Sequence, residues 1–396
     1  MKPKRNIILL LGAERKSARE ILRGIICHSS GNYPWMFYRE PPFYRKYPYG
    51  SATGLAQEML THFQGLDADG IIAFVPNPTQ AQALLSLELP AVFIPMVETI
   101  PGHCCILEEP LSVGRLAAEH LLDRGYRNFA FCGLDNNYWS GIRKDGFTQR
   151  IQQAGFTVDL FRLNSSSEPV TWESEYHQIV DWLRTLPNPI GLMAFNDERA
   201  QQVVEACRIA ELRIPDDIAI IGVDNDDILC DLSNPPISSI AMNFQAVGCE
   251  AAEQLERQMN GLMPTIQSIY VRPSYVVTRQ STDIVAIEDA HVATALRFIR
   301  AHAQDIISVE DVVNSMIVSR RVLERHFKCM LGRSIQKEIE RVHLERASQL
   351  LISTDWPLSK IARHCGFSGT NHLGAVFRRL MHRTPSQYRS NVAFNG

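Results

Sequence analysis

Long apolar runs are missing from this 396-residue chain. None approaches the ~18–20 residues that a membrane helix requires, so no transmembrane segment and no membrane partner is expected. The N-terminal run Ile7–Leu11 is followed at once by Glu14, Arg15 and Lys16. That is too short for the apolar core of a signal peptide, so it reads as a buried strand, and the default compartment is the cytosol. Cysteine spacing of a useful kind is also missing. Nine cysteines, an odd number, run from Cys27 to Cys365 with no C-x-x-C pair, which argues against a disulfide framework. His103, Cys104 and Cys105 lack a second ligand cluster, so they read as small buried residues near a strand end rather than as a metal site. The sequence has no G-x-G-x-x-G, G-x-x-x-x-G-K-[ST], H-E-x-x-H or G-x-S-x-G motif. The acidic run Asp224–Asp227 has no partner His or distant Glu. An enzyme is therefore the disfavoured rival, and neither metal nor cofactor is expected.

What is present is ordinary globular material, 45% apolar and 21% charged, of a length suited to about two to four domains. The net charge of −3 conceals an asymmetry. Residues 1–285 hold 24 Lys and Arg against 33 Asp and Glu, whereas residues 286–396 hold 16 against 10. An acidic body with a basic tail places any contact with a polyanion in the tail. Seven of the twelve histidines also lie after residue 286.

Short apolar runs alternate with amphipathic stretches over the first ~280 residues. Ile7–Leu11, Gly70–Phe74, Ala91–Ile94, Asn128–Cys132, Ile190–Phe195 and Ile218–Val223 read as strands. Ser17–Cys27 and Leu111–Leu122 carry apolar residues at helical spacing. Continuously apolar strands separated by helices predict parallel sheets covered on both faces. A late return over Ser238–Gly261, with a β-rich end at Ser268–Thr278, predicts a chain that crosses back between two lobes. A ligand would then sit in the cleft at the carboxyl ends of the strands. Gln280–Ile287 reads as a boundary, after which the pattern is helical only.

In the tail, Ser308 can cap a helix with Asp311 in the reciprocal position. Val309, Val312, Val313 and Met316 supply its apolar face. Ser319 opens a second helix with Val322, Leu323 and Phe327 inward and Arg320, Arg321, Glu324, Arg325 and Lys328 outward. About 50 residues on, Leu358–Phe367 and Gly369–Leu380 repeat the arrangement, with Thr370, Asn371, Gly374 and Arg378 outward. Ile335–Leu351, free of Gly and Pro, joins the two as a helix of about 25 Å. Two such units in the basic part of an acidic chain read as paired helix-turn-helix elements rather than as charged hairpins.

The stretch Ile361-Ala-Arg-His-Cys-Gly-Phe367, followed by Phe377-Arg-Arg-Leu-Met-His-Arg-Thr-Pro-Ser-Gln-Tyr-Arg389, resembles the signature of AraC-type transcription regulators. Arg346-Ala-Ser-Gln-Leu-Leu351 is similar to that family's connecting helix. The resemblance implies two recognition helices in adjacent major grooves of an operator. Carried onto this chain, Arg321, Glu324 and Arg325 read bases from the first helix and Thr370 and Asn371 from the second, while Lys328 and Arg378 hold phosphates. Arg320 joins the same basic face. Ala375 stands where relatives often carry a longer polar residue, and Ile317 stands in the first turn where Gly is usual. That turn must be built differently or carry strain.

His120–Gly133, Ala194–Ala200 and Ile214–Asn225 resemble the LacI/periplasmic-binding-protein fold. A sugar-binding body followed by an AraC-type domain is the order of xylose operon regulators. The resemblance implies an α/β bilobed effector-binding body over 1–283 and an all-α double helix-turn-helix domain over 288–392. Sugars need paired hydroxyl contacts and an aromatic face. Candidates at strand ends are Arg19, Trp139, Arg143, Asn196, Asp197, Asp224 and Asn225, with Trp172 in a loop-like stretch. Ser17 and Ala18 depart from the Tyr and small or acidic residue usual before the equivalent of Arg19. The aromatic stretch Tyr33–Tyr49 suits the cleft, a dimer surface or a satellite of the core. The function implied is a D-xylose-responsive activator of a pentose catabolic operon, acting as a homodimer on double-stranded DNA with RNA polymerase as a further partner. The alternative is a DNA-binding regulator whose body senses a different small molecule or only dimerises.

Overall fold

The computed structural model of the protein describes residues 4–32, 35–39, 63, 65–75, 78–95, 100–109, 111–135, 137–163, 171–262, 268–283, 289–381 and 383–393. Strands β1 (Arg5–Leu10), β2 (Trp35–Arg39), β3 (Gly70–Val75), β4 (Ala91–Pro95), β5 (Cys104–Glu108) and β11 (Ser268–Val271) form one sheet. Its order is β11-β5-β4-β3-β1-β2, and all the pairings are parallel. Strands β6 (Asn128–Cys132), β7 (Val158–Leu160), β8 (Ile190–Ala194), β9 (Ile218–Val223), β10 (Ser238–Met242) and β12 (Pro273–Val277) form the second. Its order is β12-β10-β9-β8-β6-β7, with β12 alone antiparallel.

Each sheet is buried on both faces. In β1, Ile7 and Leu9 join one core cluster and Ile8 and Leu10 the opposite one. The period-2 alternation of side chains feeds both layers, which is why the strands read as unbroken apolar runs. Covering them are α1 (Lys16–Asn32), α2 (Pro78–Leu85) and α8 (Phe244–Met259) in the first lobe. In the second lobe they are α3 (Ser112–Leu122), α4 (Tyr138–Gln153), α5 (Trp172–Thr185), α6 (Asp197–Ile209) and α7 (Asp227–Leu232).

The chain crosses between lobes three times, after β5, after β10 and between β11 and β12. The crossings are stitched together. The Glu109 amide donates to Val271 O at 2.9 Å, the Arg272 amide donates to Asn243 Oδ1 at 2.5 Å, and the Arg272 guanidinium meets Glu109 at 3.0 Å.

Strand β5 is not among the strands expected from the sequence. Cys104 and Cys105 are small buried residues at a strand end, as expected, and they open a strand whose five residues are all buried. Of the aromatic stretch, Trp35–Arg39 is the edge strand β2 with Trp35 in the first lobe's core. The rest of Tyr33–Tyr49 lies outside the described residues.

The tail is helical throughout its described length: α9 (Ala290–Ala301), α10 (Val309–Asn314), α11 (Arg320–Leu331), α12 (Ile335–Ser353), α13 (Leu358–His364), α14 (Thr370–Met381) and α15 (Pro385–Ala393). Ser308 and Asp311 form a complete capping box at the start of α10. Leu323 and Phe327 sit in one core with Val292, Leu296 and Ile339. Leu373, Val376 and Phe377 sit in a second with Ile361 and Leu351. Helix α12 contributes to both, so it is the spine of the domain. Gly366 holds the second turn at φ +68, and a Cβ there would lie 2.4 Å from Asp305 O, so both backbone and space demand glycine. The first turn is built differently, as expected. Ile317 is not among the described residues with positive φ, and its side chain is fully exposed.

Glu338 of α12 has no exposed side-chain surface and meets Arg333 at 2.5 Å and Arg341 at 2.9 Å. Burial alone would raise its carboxyl, but the two guanidiniums outweigh it and take it from the ordinary 4.5 to about 2. A depressed carboxyl contributes stability above its unfolded value and loses it as pH falls toward the folded one. We expect Glu338→Gln to cost about 3–5 kcal/mol at neutral pH by removing the buried carboxylate that Arg333 and Arg341 share. The wild-type melting midpoint should fall between about pH 5 and about pH 3 more steeply than the variant's. Equal slopes in the two proteins would contradict this assignment.

Candidate effector cleft and nucleic-acid interface

The carboxyl ends of the two sheets face each other. Arg15, Lys16 and Ser17, which follow β1, line one side of the space between them, and Asn196, Glu198, Asp224 and Asp226, which follow β8 and β9, line the other. Arg143 lies in the first turns of α4, a helix started by Asn137, whose side chain accepts from the Ser140 amide at 2.9 Å. The guanidinium is 3% exposed. Its Nε donates to Glu108 Oε2 at 2.8 Å, Nη1 donates to Phe195 O, and Nη2 lies 3.4 Å from Asp224 Oδ1. Burial works against the charge on Arg143, but Glu108 and Asp224 outweigh it and hold it ionised. Burial pushes Asp224 up against the pull of Arg143.

The lobes are also bridged at the rim. Arg15 meets Glu198 at 3.1 Å, Lys16 meets Asp227 at 2.9 Å, and Arg19 meets Asp226 at 3.5 Å. The three bases come from residues 15–19, at and just before the start of α1, and all three acids come from the second lobe. Trp139 crosses the gap as well. It packs against the first lobe's core, donates to Pro95 O at 3.4 Å, and lies 5.7 Å from the Arg143 guanidinium. Asp224 and Asn225 have φ of +98 and +49. Non-glycine residues there cost about 1–3 kcal/mol each and persist only where surrounding bonds hold them. Here the Asp224 amide donates to Ile240 O and the Asn225 amide donates to Ser239 Oγ, both at 2.9 Å.

The eight residues expected around an effector thus divide. Asn196, Asp197 and Asp224 line the cleft, Arg143 lies behind Asp224 at 3.4 Å, and Trp139 and Arg19 each reach from one lobe to the other. Asn196 uses its carbonyl to cap α6, accepting from the Arg199 amide at 2.8 Å. Asp197 is 2% exposed, with both oxygens taken by the Ser239 hydroxyl and the Asp226 amide. Burial and the Asp224 charge push its carboxyl up to about 8. It braces the loop from inside. Asn225 turns its side chain to Arg279, 3.0 Å away. Trp172 is a correction. It lies not in a loop but at the start of α5, is 65% exposed, and stacks on Tyr176 at 5.6 Å.

Glu108, Arg15, Lys16, Glu198 and Asp226 were missed. Glu108 carried a readable signal, a carboxylate ending an apolar run, but it needed β5 to be recognised as a strand.

On the tail, Arg320, Arg321, Glu324, Arg325 and Lys328 are all exposed along α11. Arg320 is tied to Glu324 at 3.0 Å and to Glu310 at 3.3 Å, so this pair braces the helix start. Thr370, Asn371 and Arg378 are exposed on α14, and Ala375 is an exposed small residue between them. Arg346 fastens the second unit to α12 by donating to His364 O at 3.0 Å.

Two family models match this chain: a periplasmic binding protein-like domain over residues 118–282 and a helix-turn-helix domain over residues 312–391. The xylose operon regulatory protein of Escherichia coli K12 is 30% identical over 328 residues, spanning 81% of this chain and 83% of that protein. Its namesake in Haemophilus influenzae is 28% identical over 82% of this chain and 86% of its own length. A solved structure of a xylose-binding transcription activator aligns with a TM-score of 0.60 at 26% identity, covering 98% of this chain and 99% of that one. A bilobed body with two parallel-sheet lobes, followed by a paired helix-turn-helix tail and shared with such relatives over more than four-fifths of their length, places this chain in the family of xylose operon regulatory proteins.

Proposed function

We propose that the protein is a sugar-responsive transcription activator that binds D-xylose or a related pentose in its cleft and reads an operator as a homodimer in the cytosol, with RNA polymerase as its partner at the promoter. Residues 1–283 would form the effector-binding body and residues 288–392 the DNA-binding domain. The observation that carries this reading is a cleft closed by Arg143, Asn196 and Asp224, in one chain with a double helix-turn-helix.

A neutral sugar needs donors and acceptors side by side. Arg143 and the Asn196 amide supply donors, Asp224 supplies acceptors, and Trp139 supplies an aromatic face. The 3.4 Å contact between Arg143 and Asp224 is long enough to give way to a sugar hydroxyl that accepts from the first and donates to the second. A sugar shifts the lobes only by binding one arrangement better than the other. On DNA, Arg321 and Arg325 suit guanine edges and Asn371 suits adenine. Glu324, tied to Arg320, suits cytosine N4, Thr370 adds a hydroxyl, and Lys328 and Arg378 suit phosphates.

Thermal unfolding against a panel of pentoses and hexoses tests the ligand. At 100 times its Kd, D-xylose adds ~2.7 kcal/mol to the folded body and raises the midpoint. A rise with another pentose alone would trace to Ser17 and Ala18 in the first loop. No rise with any sugar would favour a body that only dimerises. Arg143→Ala and Asp224→Asn should abolish the sugar response while leaving sugar-independent DNA binding, and a response surviving both would sink the cleft assignment. Arg321→Ala and Arg325→Ala should each cost about 1–3 kcal/mol of operator affinity and relax base preference, read by competition binding on randomised duplexes. Unchanged affinity and preference would remove α11 as a reading helix.

A further inference from the structure

Helix α3 ends at Leu122 and is capped by Asp123. A carboxylate there faces the negative end of the helix dipole, an unfavourable place unless cations lie close. Two do, and both belong to the helix-turn-helix domain. Arg333 Nη1 lies 3.0 Å from Asp123 Oδ1, and its Nη2 donates to Asp123 O at 2.9 Å. Arg341 lies 3.8 Å from the other carboxylate oxygen.

One residue on, Arg124 is 2% exposed. Its Nε donates to Thr282 O at 2.9 Å, and its Nη2 donates to Thr278 Oγ1 at 3.2 Å. Thr278 in turn donates to Glu345 Oε1 of α12 at 3.0 Å, and that carboxylate is 3.8 Å from Arg124 itself. Arg341 closes the chain by meeting both Glu345 and the fully buried Glu338. Tyr388 adds a hydroxyl donated to Ser274 O at 3.4 Å. Those that leave the DNA-binding domain, from Arg333, Arg341, Glu345 and Tyr388, end on the second lobe.

The other end of α3 lies against α4, the helix that carries Arg143. It crosses α4 at Gly114 and Gly146, so closely that a Cβ on Gly114 would sit 2.1 Å from Arg143 O. Helix α3 therefore touches the cleft helix along its first half and the DNA-binding domain at its last residue. Helix and domain cannot move apart without exposing or stranding Arg124, which has lost nearly all its water.

We infer that the second lobe and the DNA-binding domain move as one body, joined by the Asp123–Arg333 and Arg124–Thr278–Glu345 contacts, and that α3 carries a change at the cleft to the operator-reading helices. The direction of that signal rests on the function proposed above; the joint itself does not. Sugar binding alters how the first lobe sits on the second, and the joint keeps the DNA-binding domain in step with the second lobe.

Two measurements on the full chain separate joint from function. Scanning calorimetry without sugar tests the joint. The wild type should unfold its second lobe and DNA-binding domain in one transition. Asp123→Arg, which places a base where the helix dipole welcomes it, should release the DNA-binding domain into a separate, earlier transition. Glu345→Gln should do the same from the other half of the joint, and Asp123→Glu should keep the shared transition. Separate transitions in the wild type, or a shared one in both Asp123→Arg and Glu345→Gln, would overturn the joint. Fluorescence anisotropy with a duplex that the wild type selects from random sequence then reads the coupling. Saturating D-xylose should change wild-type affinity at least about 5-fold, and that of Asp123→Arg less than about 2-fold. A full response in Asp123→Arg would overturn the role of α3 in transmission. A wild type that passes calorimetry but ignores every sugar in the panel would leave the joint standing and overturn the functional reading instead.

Discussion

The Arg143 guanidinium has almost no water around it, and it is held by a carboxylate from each lobe and a carbonyl from the second. Glu108 is the last residue of β5, immediately before the first crossing between lobes, and Asp224 ends β9 in the other sheet. A buried charge of this kind costs several kcal/mol to strip of water and is tolerated only with close opposite charge. The three residues therefore fix one another. Helix α4 must enter the cleft at its first turns, the loop after β9 must hold its left-handed residues, and the end of β5 must stay beside the second lobe. The cleft's shape follows from that demand, with the rim pairs of Arg15, Lys16 and Arg19 adding weaker, more solvated contacts.

The same demand recurs where the two domains meet. Arg124 and Glu338 are each buried, and each is neutralised by residues far away in sequence. The imbalance between an acidic body and a basic tail is thus more than a DNA-binding signature. Part of the tail's positive charge, at Arg333 and Arg341, is spent internally on Asp123, Glu338 and Glu345. The exposed arginines of α11 and α14 are the share that remains for an outside polyanion.

Local pattern was enough to read several elements. The six apolar strands, the Ser308–Asp311 cap, the glycine turn at Gly366 and the long helix after Ile335 each depend on residues within a few positions of one another. Strand β5 escaped because Cys-Cys-Ile-Leu-Glu is short and carries only one β-branched residue. Trp172 was placed with the sugar contacts because tryptophan suits a sugar ring, yet it begins a helix at the second lobe's surface and stacks on Tyr176. Asp197 and Asn225 sit at the right strand ends, but their polar atoms are used to hold the loop, a distinction that depends on side-chain direction.

By itself the sequence determined the fold class, the order of a bilobed body and a double helix-turn-helix, and the short set of polar residues at strand ends. These follow from hydrophobic period and turn chemistry, which neighbours in the chain decide. Only the tertiary structure decided which charges are paired. Arg143 finds Glu108 across 35 positions and Arg333 finds Asp123 across 210. Composition records that both signs are present, but burial chooses the partners, because an ion stripped of water is stable only beside opposite charge that the fold brings within reach.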